Sequence, residues 1–453
     1  DIHSGIREIK DKEERQNATI DEYFTALHDY DEEKTLAEYA KEALEREKPS
    51  WPMLTVLQEA CNACVKTHYM VTNGCQACLA RPCMMNCGRK AISIQSGRAH
   101  IDEEKCVNCG LCMQNCPYHA IIKIPVPCEE ACPVGAISKN EEGKEVIDYE
   151  KCIFCGACMR NCPFGAMMDK SQLVDVIKHI LNGKKVVALY APAIASQFRA
   201  DNVQLENALL ECGFSSVLEV AIGADITADK EAKEFAERME KGDKLMTTSC
   251  CSAYVRAVNI HVPELKPCVS DTRSPMHYTA EIAKKDDPDC VTVFIGPCLA
   301  KRREGMDDEF VDYVLSVEEI GAFFVAKDID VGKVSRESTV ASTEKTTQDE
   351  SQKPTATGRN FAVSGGVAGA VRVRLKKPEI LRATVIDGLT KDGMKQLANF
   401  GKIQSGKLPY TEETPNLVEV MACEGGCIAG PSVITNPKVA SLQLKKYVDA
   451  GEK

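Results

Sequence analysis

No apolar run in this chain approaches the roughly 20 residues needed to cross a bilayer. No spanning helix, and so no membrane partner, is expected. Surplus positive charge is also missing. The formal net charge is −11 over 453 residues, and phosphate binding needs clustered Lys and Arg, so nucleic acid is not an expected partner. The opening stretch DIHSGIREIKDKEERQ is charged and has no apolar segment. No secretory leader is expected from it, and a cytoplasmic location is. What the chain does have is 24 cysteines. In a small secreted protein they would form disulfides. In a long chain without a leader, metal is the better reading.

Composition divides the chain into three. Residues 1–60 are rich in Glu, Lys and Ala with helical periodicity, and predict an N-terminal helical segment. Residues 61–170 hold sixteen of the cysteines. Residues 171–453 alternate apolar strands with amphipathic helices, the pattern of an α/β domain. Four stretches there, KKVVALYAPA, DKLMTTSCC, DCVTVFIGPC and NLVEVMACEGGC, run from strand to loop, and three end in cysteine. Sites in open α/β sheets form at strand C-termini, so these strand–loop–helix units should converge on one buried metal cluster. Residues 334–360 are polar and rich in Ser, Thr, Lys and Glu, and read as a flexible surface loop.

CVNCGLCMQNCP gives Cys106, Cys109, Cys112 and Cys116, and CIFCGACMRNCP gives Cys152, Cys155, Cys158 and Cys162. Both are the C-x2-C-x2-C-x3-C-P run of bacterial ferredoxins. Its first three cysteines hold one [4Fe–4S] cluster and its fourth ligates the other cluster of a pair. CQACLARPCMMNCG supplies Cys75, Cys78, Cys83 and Cys87, the same run with two inserted residues and Gly for Pro. Exchange then groups Cys75, Cys78 and Cys83 with Cys116, and Cys106, Cys109 and Cys112 with Cys87. CEEACP supplies Cys128 and Cys132, and Cys132 completes Cys152, Cys155 and Cys158. Cys61, Cys64, Cys128 and Cys162 remain. By arithmetic they make a fourth cluster; the alternative gives Cys61 and Cys64 to another metal or to none. This stretch reads as an α+β ferredoxin-like, multi-cluster domain that conducts electrons to the rest of the chain.

Of the last eight cysteines, Cys212, Cys268 and Cys290 are isolated and read as buried small hydrophobes. The other five fall in TTSCCSAY, IGPCLAKRRE and EVMACEGGCIAGP. Cys423 and Cys427 would share a face on a helical turn. With Cys298 and either Cys250 or Cys251 they make four thiolates, enough for a fifth cubane, and one thiol is left beside it.

These three motifs resemble those of the [FeFe]-hydrogenases, written there approximately as TSCCPxW, PCxxKxxE and ExMACxxGCxxGG. The front end and the abbreviated third motif are most similar to the family's group B branch. The resemblance implies an H-cluster, a [4Fe–4S] cubane bridged through cysteine to a diiron unit with CO, cyanide and a bridging dithiolate amine. By motif position Cys251, Cys298, Cys423 and Cys427 would hold the cubane, with Cys427 as the bridge. Lys301 would donate to a cyanide, and Glu304 would orient or salt-bridge its turn. The plainer alternative makes Lys301 and Arg302 a solvated basic turn. Met421, Ala191, Pro192, Ala193, Phe361 and Ala362 would wall the diiron pocket.

GADITADKEAKEFAER resembles the family's proton-relay segment. Glu231, Glu234 and Arg238 lie at i, i+3 and i+7 on one helix face, and Asp271 falls where the family has a relay Ser. Protons would pass through Arg238, Glu234, Asp271 and Glu231 to Cys250. The chain departs from the family at Ser252-Ala253-Tyr254 for Pro-Gly-Trp, His277 for Gln, Gly369 for Glu, and Gly296 for Met. The last implies a larger or wetter pocket. The function implied is reversible 2H⁺ + 2e⁻ ⇌ H₂, with a ferredoxin-like electron carrier and hydrogenase maturation proteins as partners. The rival readings are an H₂ sensor, an assembly-factor type homologue without the diiron unit, and an electron-transfer subunit.

Overall fold

The structure, a computed structural model, describes residues 53–450 apart from 62–63, 65–67, 141 and 338–352. The helical segment expected over 1–60 lies outside the described residues as far as 52, and so does most of the stretch 334–360. The described chain forms two compact units. The smaller comprises Val56–Asp148 with Ala157–Met167, and the larger takes 53–55, Tyr149–Gly156 and the described residues from Met168 onward. One break falls between Met167 and Met168, and Tyr149–Gly156, part of the last ferredoxin run, packs with the larger unit. Arg256 explains this. Its guanidinium donates to the carbonyls of Cys152 (2.6 Å) and Tyr149 (2.9 Å), and it lies 5.1 Å from the Phe154 ring centroid.

The smaller unit is built from three- to five-residue elements. Antiparallel pairs join Tyr69–Val71 to Ile121–Lys123, Ile92–Gln95 to Arg98–Ile101, and Ile137–Lys139 to Glu145–Ile147. Strands this short bury little apolar surface. Sulfur fills the gap, with Cys83 packed among Ile92, Ala99, Ile101 and Ile121, and Cys75, Cys87, Cys106, Cys112 and Cys116 around them. A sequence repeat organises the unit. Four times, C-x3-C is followed by Ala four residues after the second cysteine, at Cys87, Cys116, Cys132 and Cys162. Each Ala N–H donates to the Sγ of that cysteine, at 3.3, 3.3, 3.2 and 3.3 Å. Hydrogen bonds to ligating sulfurs tune an iron–sulfur cluster.

The larger unit is α/β, with two parallel sheets. Strands β1 (Val186–Tyr190), β2 (Ser216–Glu219), β4 (Val291–Ile295) and β5 (Tyr313–Leu315) form one, in the order β2-β1-β4-β5. Strands β3 (Met246–Thr247), β6 (Ala383–Asp387) and β7 (Leu417–Met421) form the other, in the order β3-β7-β6. β1, β4 and β7 are buried at every residue, as parallel strands covered on both faces must be. The helices that matter for the site are α1 (Ala221–Glu240), α2 (Ser252–His261), α3 (Pro275–Asp286), α4 (Leu299–Asp307), α5 (Gly366–Arg374) and α6 (Pro437–Ala450).

Candidate metal centres and proton path

In the smaller unit the thiols gather in sets. Cys75, Cys78, Cys83 and Cys116 line one cavity; Cys87, Cys106, Cys109 and Cys112 line a second; Cys61, Cys64, Cys128 and Cys162 line a third. Burial, the neighbouring Glu145 carboxylate and the thiols of Cys162 and Cys64 push Cys128 up to about 12. Among the described residues no group of three or more His, Cys, Asp or Glu side chains is arranged to hold a single metal ion. The thiols ring volumes instead of meeting at a point, which suits a polynuclear cluster. Of the remaining set, Cys132 and Cys158 belong to the smaller unit and Cys152 and Cys155 to the larger.

In the larger unit the site forms where β1, β3, β4 and β7 end. Cys251 is the N-cap of α2 and Cys298 the N-cap of α4. The backbone N–H groups at its own helix start oppose the effect of burial on each thiol, those of Tyr254 and Ala253 for Cys251 and those of Lys301 and Ala300 for Cys298. A helix N-terminus favours the anionic form of a thiol. Cys423 and Cys427 are not on a helical turn. Gly425 and Gly426, at φ 85° and 89°, turn the chain between them, and a Cβ on Gly426 would meet the Ala362 carbonyl oxygen at 2.6 Å. The expected helix is thus replaced by a glycine turn that lets the loop press on the 362–364 backbone. All four thiols act on one another electrostatically. Burial, then Cys298 and Cys251, push Cys427 up to about 12, and burial, then Cys251, push Cys298 up to about 11. Four neighbouring thiols cannot all ionise without a compensating cation, so this donor set fits an iron cluster. Cys155 lies within electrostatic reach of Cys423 in the same unit.

Cys250 lies within electrostatic reach of Cys251 and Cys427 of this ring. It packs against Ala224, Ala228, Phe361, Val367, Ala370 and Met421. Burial, then Glu231 and Cys251, hold its thiol well above the ordinary value, so it carries a proton at neutral pH. The turn Pro192–Ser196, entered from Ala191, packs against the turns Asn360–Ala362 and Cys427–Ala429.

Lys301 and Arg302 are both buried, which overturns the solvated turn. Lys301 Nζ lies 2.6 Å from Glu304 Oε2. Burial alone would lower the ammonium's pKa, but the Glu304 carboxylate outweighs it and the pKa is raised. Arg302 pairs with Asp169 (2.9 Å) and Glu319, and donates to the Val314 carbonyl at 2.9 Å. The room at Gly296 is not open either. A Cβ there would meet the Phe294 ring at 2.5 Å, so that ring, and not solvent, fills the space. His277 is committed to Asp308 at 2.7 Å, and Gly369 faces open space.

Glu231, Glu234 and Arg238 share one face of α1. Arg238 pairs with Glu234 at 2.6 Å. Glu234 accepts the Ser270 hydroxyl at 2.6 Å and the Asp271 N–H at 3.1 Å. The Asp271 side chain itself is 95 % exposed. It meets Arg238 at 3.5 Å on the exposed side, while Ser270, one residue earlier, turns inward to Glu234. Beyond it, Ser249 Oγ donates to the Thr272 carbonyl at 2.6 Å, and the Ser249 N–H donates to Glu231 at 3.1 Å. Glu231 is fully buried and its Oε2 has no hydrogen-bond partner. Burial raises its pKa to about 8. A carboxyl raised from 4.5 to about 8 binds its proton more tightly in the folded than in the unfolded chain. Its contribution is complete below pH 4.5 and lost as pH climbs to 8. Urea melts across that range should show the wild type losing stability relative to Glu231→Gln, which has no such carboxyl.

Sequence reasoning missed two buried carboxylates. Glu419, in the middle of β7, accepts the N–H groups of Gly365 (2.8 Å) and Ala368 (2.7 Å), fixing the start of α5 beside the pocket. A lone Glu in the apolar run LVEVM was the available signal. Glu219, ending β2, takes a bidentate bond from Arg359 (2.7 and 2.9 Å) and one from the Tyr447 hydroxyl of α6. Arg359 lies inside the stretch read as a flexible loop; there, residues Ala356–Arg359 form a helical turn.

A parallel α/β domain with a buried thiol ring, joined to ferredoxin-type modules, defines an iron–sulfur protein. Family models agree in detail. The one described as "Iron only hydrogenase large subunit, C-terminal domain" matches residues 184–431, and "4Fe-4S binding domain" matches 99–122 and 145–168. The chain belongs to the iron-only hydrogenase large-subunit family. It is 30% identical over 388 residues to the "Periplasmic [Fe] hydrogenase large subunit" of Nitratidesulfovibrio vulgaris, covering 73% of this chain and 85% of that one. It is 27% identical over 414 residues to "Iron hydrogenase 1" of Clostridium pasteurianum, covering 76% and 67%. It is also 24% identical over 370 residues to "Cytosolic Fe-S cluster assembly factor NAR1" of Yarrowia lipolytica, covering 64% and 74%. Among the described residues no helix is long and apolar enough to cross a membrane.

Proposed function

We propose that this chain is a catalytic [FeFe]-hydrogenase of the group B branch that interconverts protons, electrons and H₂ at an H-cluster. The observation that carries the reading is Cys250. A ring of four thiols needs no fifth, yet a protonated thiol is packed against Phe361 and Met421, with Glu231 and Lys301 in electrostatic reach. Cys251, Cys298, Cys423 and Cys427 would hold the cubane, and Lys301 would donate to a cyanide. The diiron unit, when bound, supplies the bond-making chemistry with H₂. The residues hold and move the proton. Glu231 keeps one at neutral pH, Cys250 keeps the next, and Arg238, Glu234 and Ser270 connect them toward the surface. Phe361, Met421, Ala191 and Pro192 keep the pocket dry. The reach from Cys155 to Cys423 supports electron entry from the accessory clusters. The proposed partners are a ferredoxin-like carrier and the maturation proteins that insert the diiron unit, and the proposed compartment is the cytoplasm.

The test is hydrogen evolution by matured protein with reduced carrier. Turnover supports the reading, and its absence with all cubanes loaded favours the assembly-factor type. Four accessory clusters and one cubane make about twenty irons before the diiron unit. The Cys61→Ala/Cys64→Ala variant is expected to lose about four of them by iron assay.

A further inference from the structure

Position 252, where the related motif has proline, is a serine with a specific contact. Ser252 is the first residue of α2, directly after the N-cap Cys251. Its hydroxyl donates to Glu304 Oε2, the same oxygen that Lys301 Nζ meets at 2.6 Å. The Ser274 hydroxyl, at the N-cap of α3, donates to the other oxygen, Glu304 Oε1. Three helix starts, those of α2, α3 and α4, therefore meet on one partly buried carboxylate, and that carboxylate fixes the ammonium of Lys301. A buried charge pair is well placed only when its remaining lone pairs are satisfied. With proline at 252, one of the three donors would be missing.

We propose that Ser252, together with Ser274, is a positioning residue: the two hydroxyls lock the Glu304 carboxylate, and Glu304 aims Lys301 at the diiron pocket. The aim rests on the function proposed above; the lock itself does not. Ser252 touches no reacting atom. It acts through Glu304, and it tightens a hydrogen-bond donor whose direction would otherwise be set by Glu304 and Ser274 alone. A charge-assisted hydrogen bond of this kind is worth enough to shift the occupancy of a side-chain position by about tenfold.

The experiment uses the full-length protein carrying its cubanes but no diiron unit, and measures acetylation of Lys301 by mass spectrometry, with the exposed Lys333 as internal standard. Ser252→Ala and Ser252→Pro are expected to raise the Lys301 rate roughly tenfold, and Ser252→Thr to restore it. Glu304→Gln is expected to raise it further. Proline is well tolerated at the first position of a helix, so Ser252→Pro keeps the fold, and an unchanged Lys333 rate checks the reagent. Matured protein gives the second readout, a shift of the cyanide infrared band in Ser252→Ala that Ser252→Thr reverses. Wild-type labelling in Ser252→Ala beside raised labelling in Glu304→Gln overturns the role of Ser252. Wild-type labelling in both overturns the lock. If no variant or wild type shows cyanide bands, the hydrogenase reading fails, while the labelling result still decides the lock.

Discussion

Cys250→Ala should lower hydrogen evolution by about two orders of magnitude or more while leaving the iron content unchanged. The size follows from the role. A positioned acid–base group contributes roughly 10²–10⁴-fold, and alanine removes the thiol that packs against the cluster containing Phe361 and Met421. The neighbouring substitution should behave oppositely. Cys251→Ala removes a thiolate at a helix N-cap and should cost about four irons and all activity. Upstream, Ser270→Ala should slow turnover, because its hydroxyl bonds Glu234, whereas Asp271→Ala should leave it near wild type, because that carboxylate points into solvent. Iron assay and hydrogen evolution on the same preparations separate the four variants.

Arg302→Met should destabilise the larger unit by about 3–5 kcal/mol, the cost of removing one partner from a buried ion network. Arg302 is 1 % exposed and faces two carboxylates, Asp169 and Glu319. Without it both are left buried and uncompensated. Arg303, the next residue on α4, is partly exposed and makes an i, i+4 pair with Asp307, so Arg303→Met should change stability by less than about 1 kcal/mol. Equilibrium unfolding in urea checks the contrast between adjacent arginines.

How far the molecule was readable in advance depended on the kind of signal. The cysteine runs were legible because ligand spacing is local: C-x2-C and C-x3-C set which thiols face one cluster, whatever surrounds them. The α/β class was legible from apolar strands ending in loops. Ser270 was missed, since only the fold decides whether Ser270 or Asp271 turns inward. The pocket at Gly296 was misread because the ring that fills it belongs to Phe294, two residues earlier on the same strand face. The plainer alternative for Arg302, a solvated charge, and the loop reading of the stretch holding Arg359 both arose because their carboxylates come from distant segments, Asp169 and Glu319 for one and Glu219 for the other. The turn at Gly425–Gly426 was taken for a helix because four-residue spacing fits both, and only the glycine pair distinguished them.

The infrared spectrum of the matured protein tests the central claim most directly. Carbonyl and cyanide ligands absorb where no protein group does. The account predicts both sets of bands, together with a cyanide band that moves in Lys301→Ala. A protein with every cubane loaded and neither set of bands would contradict it.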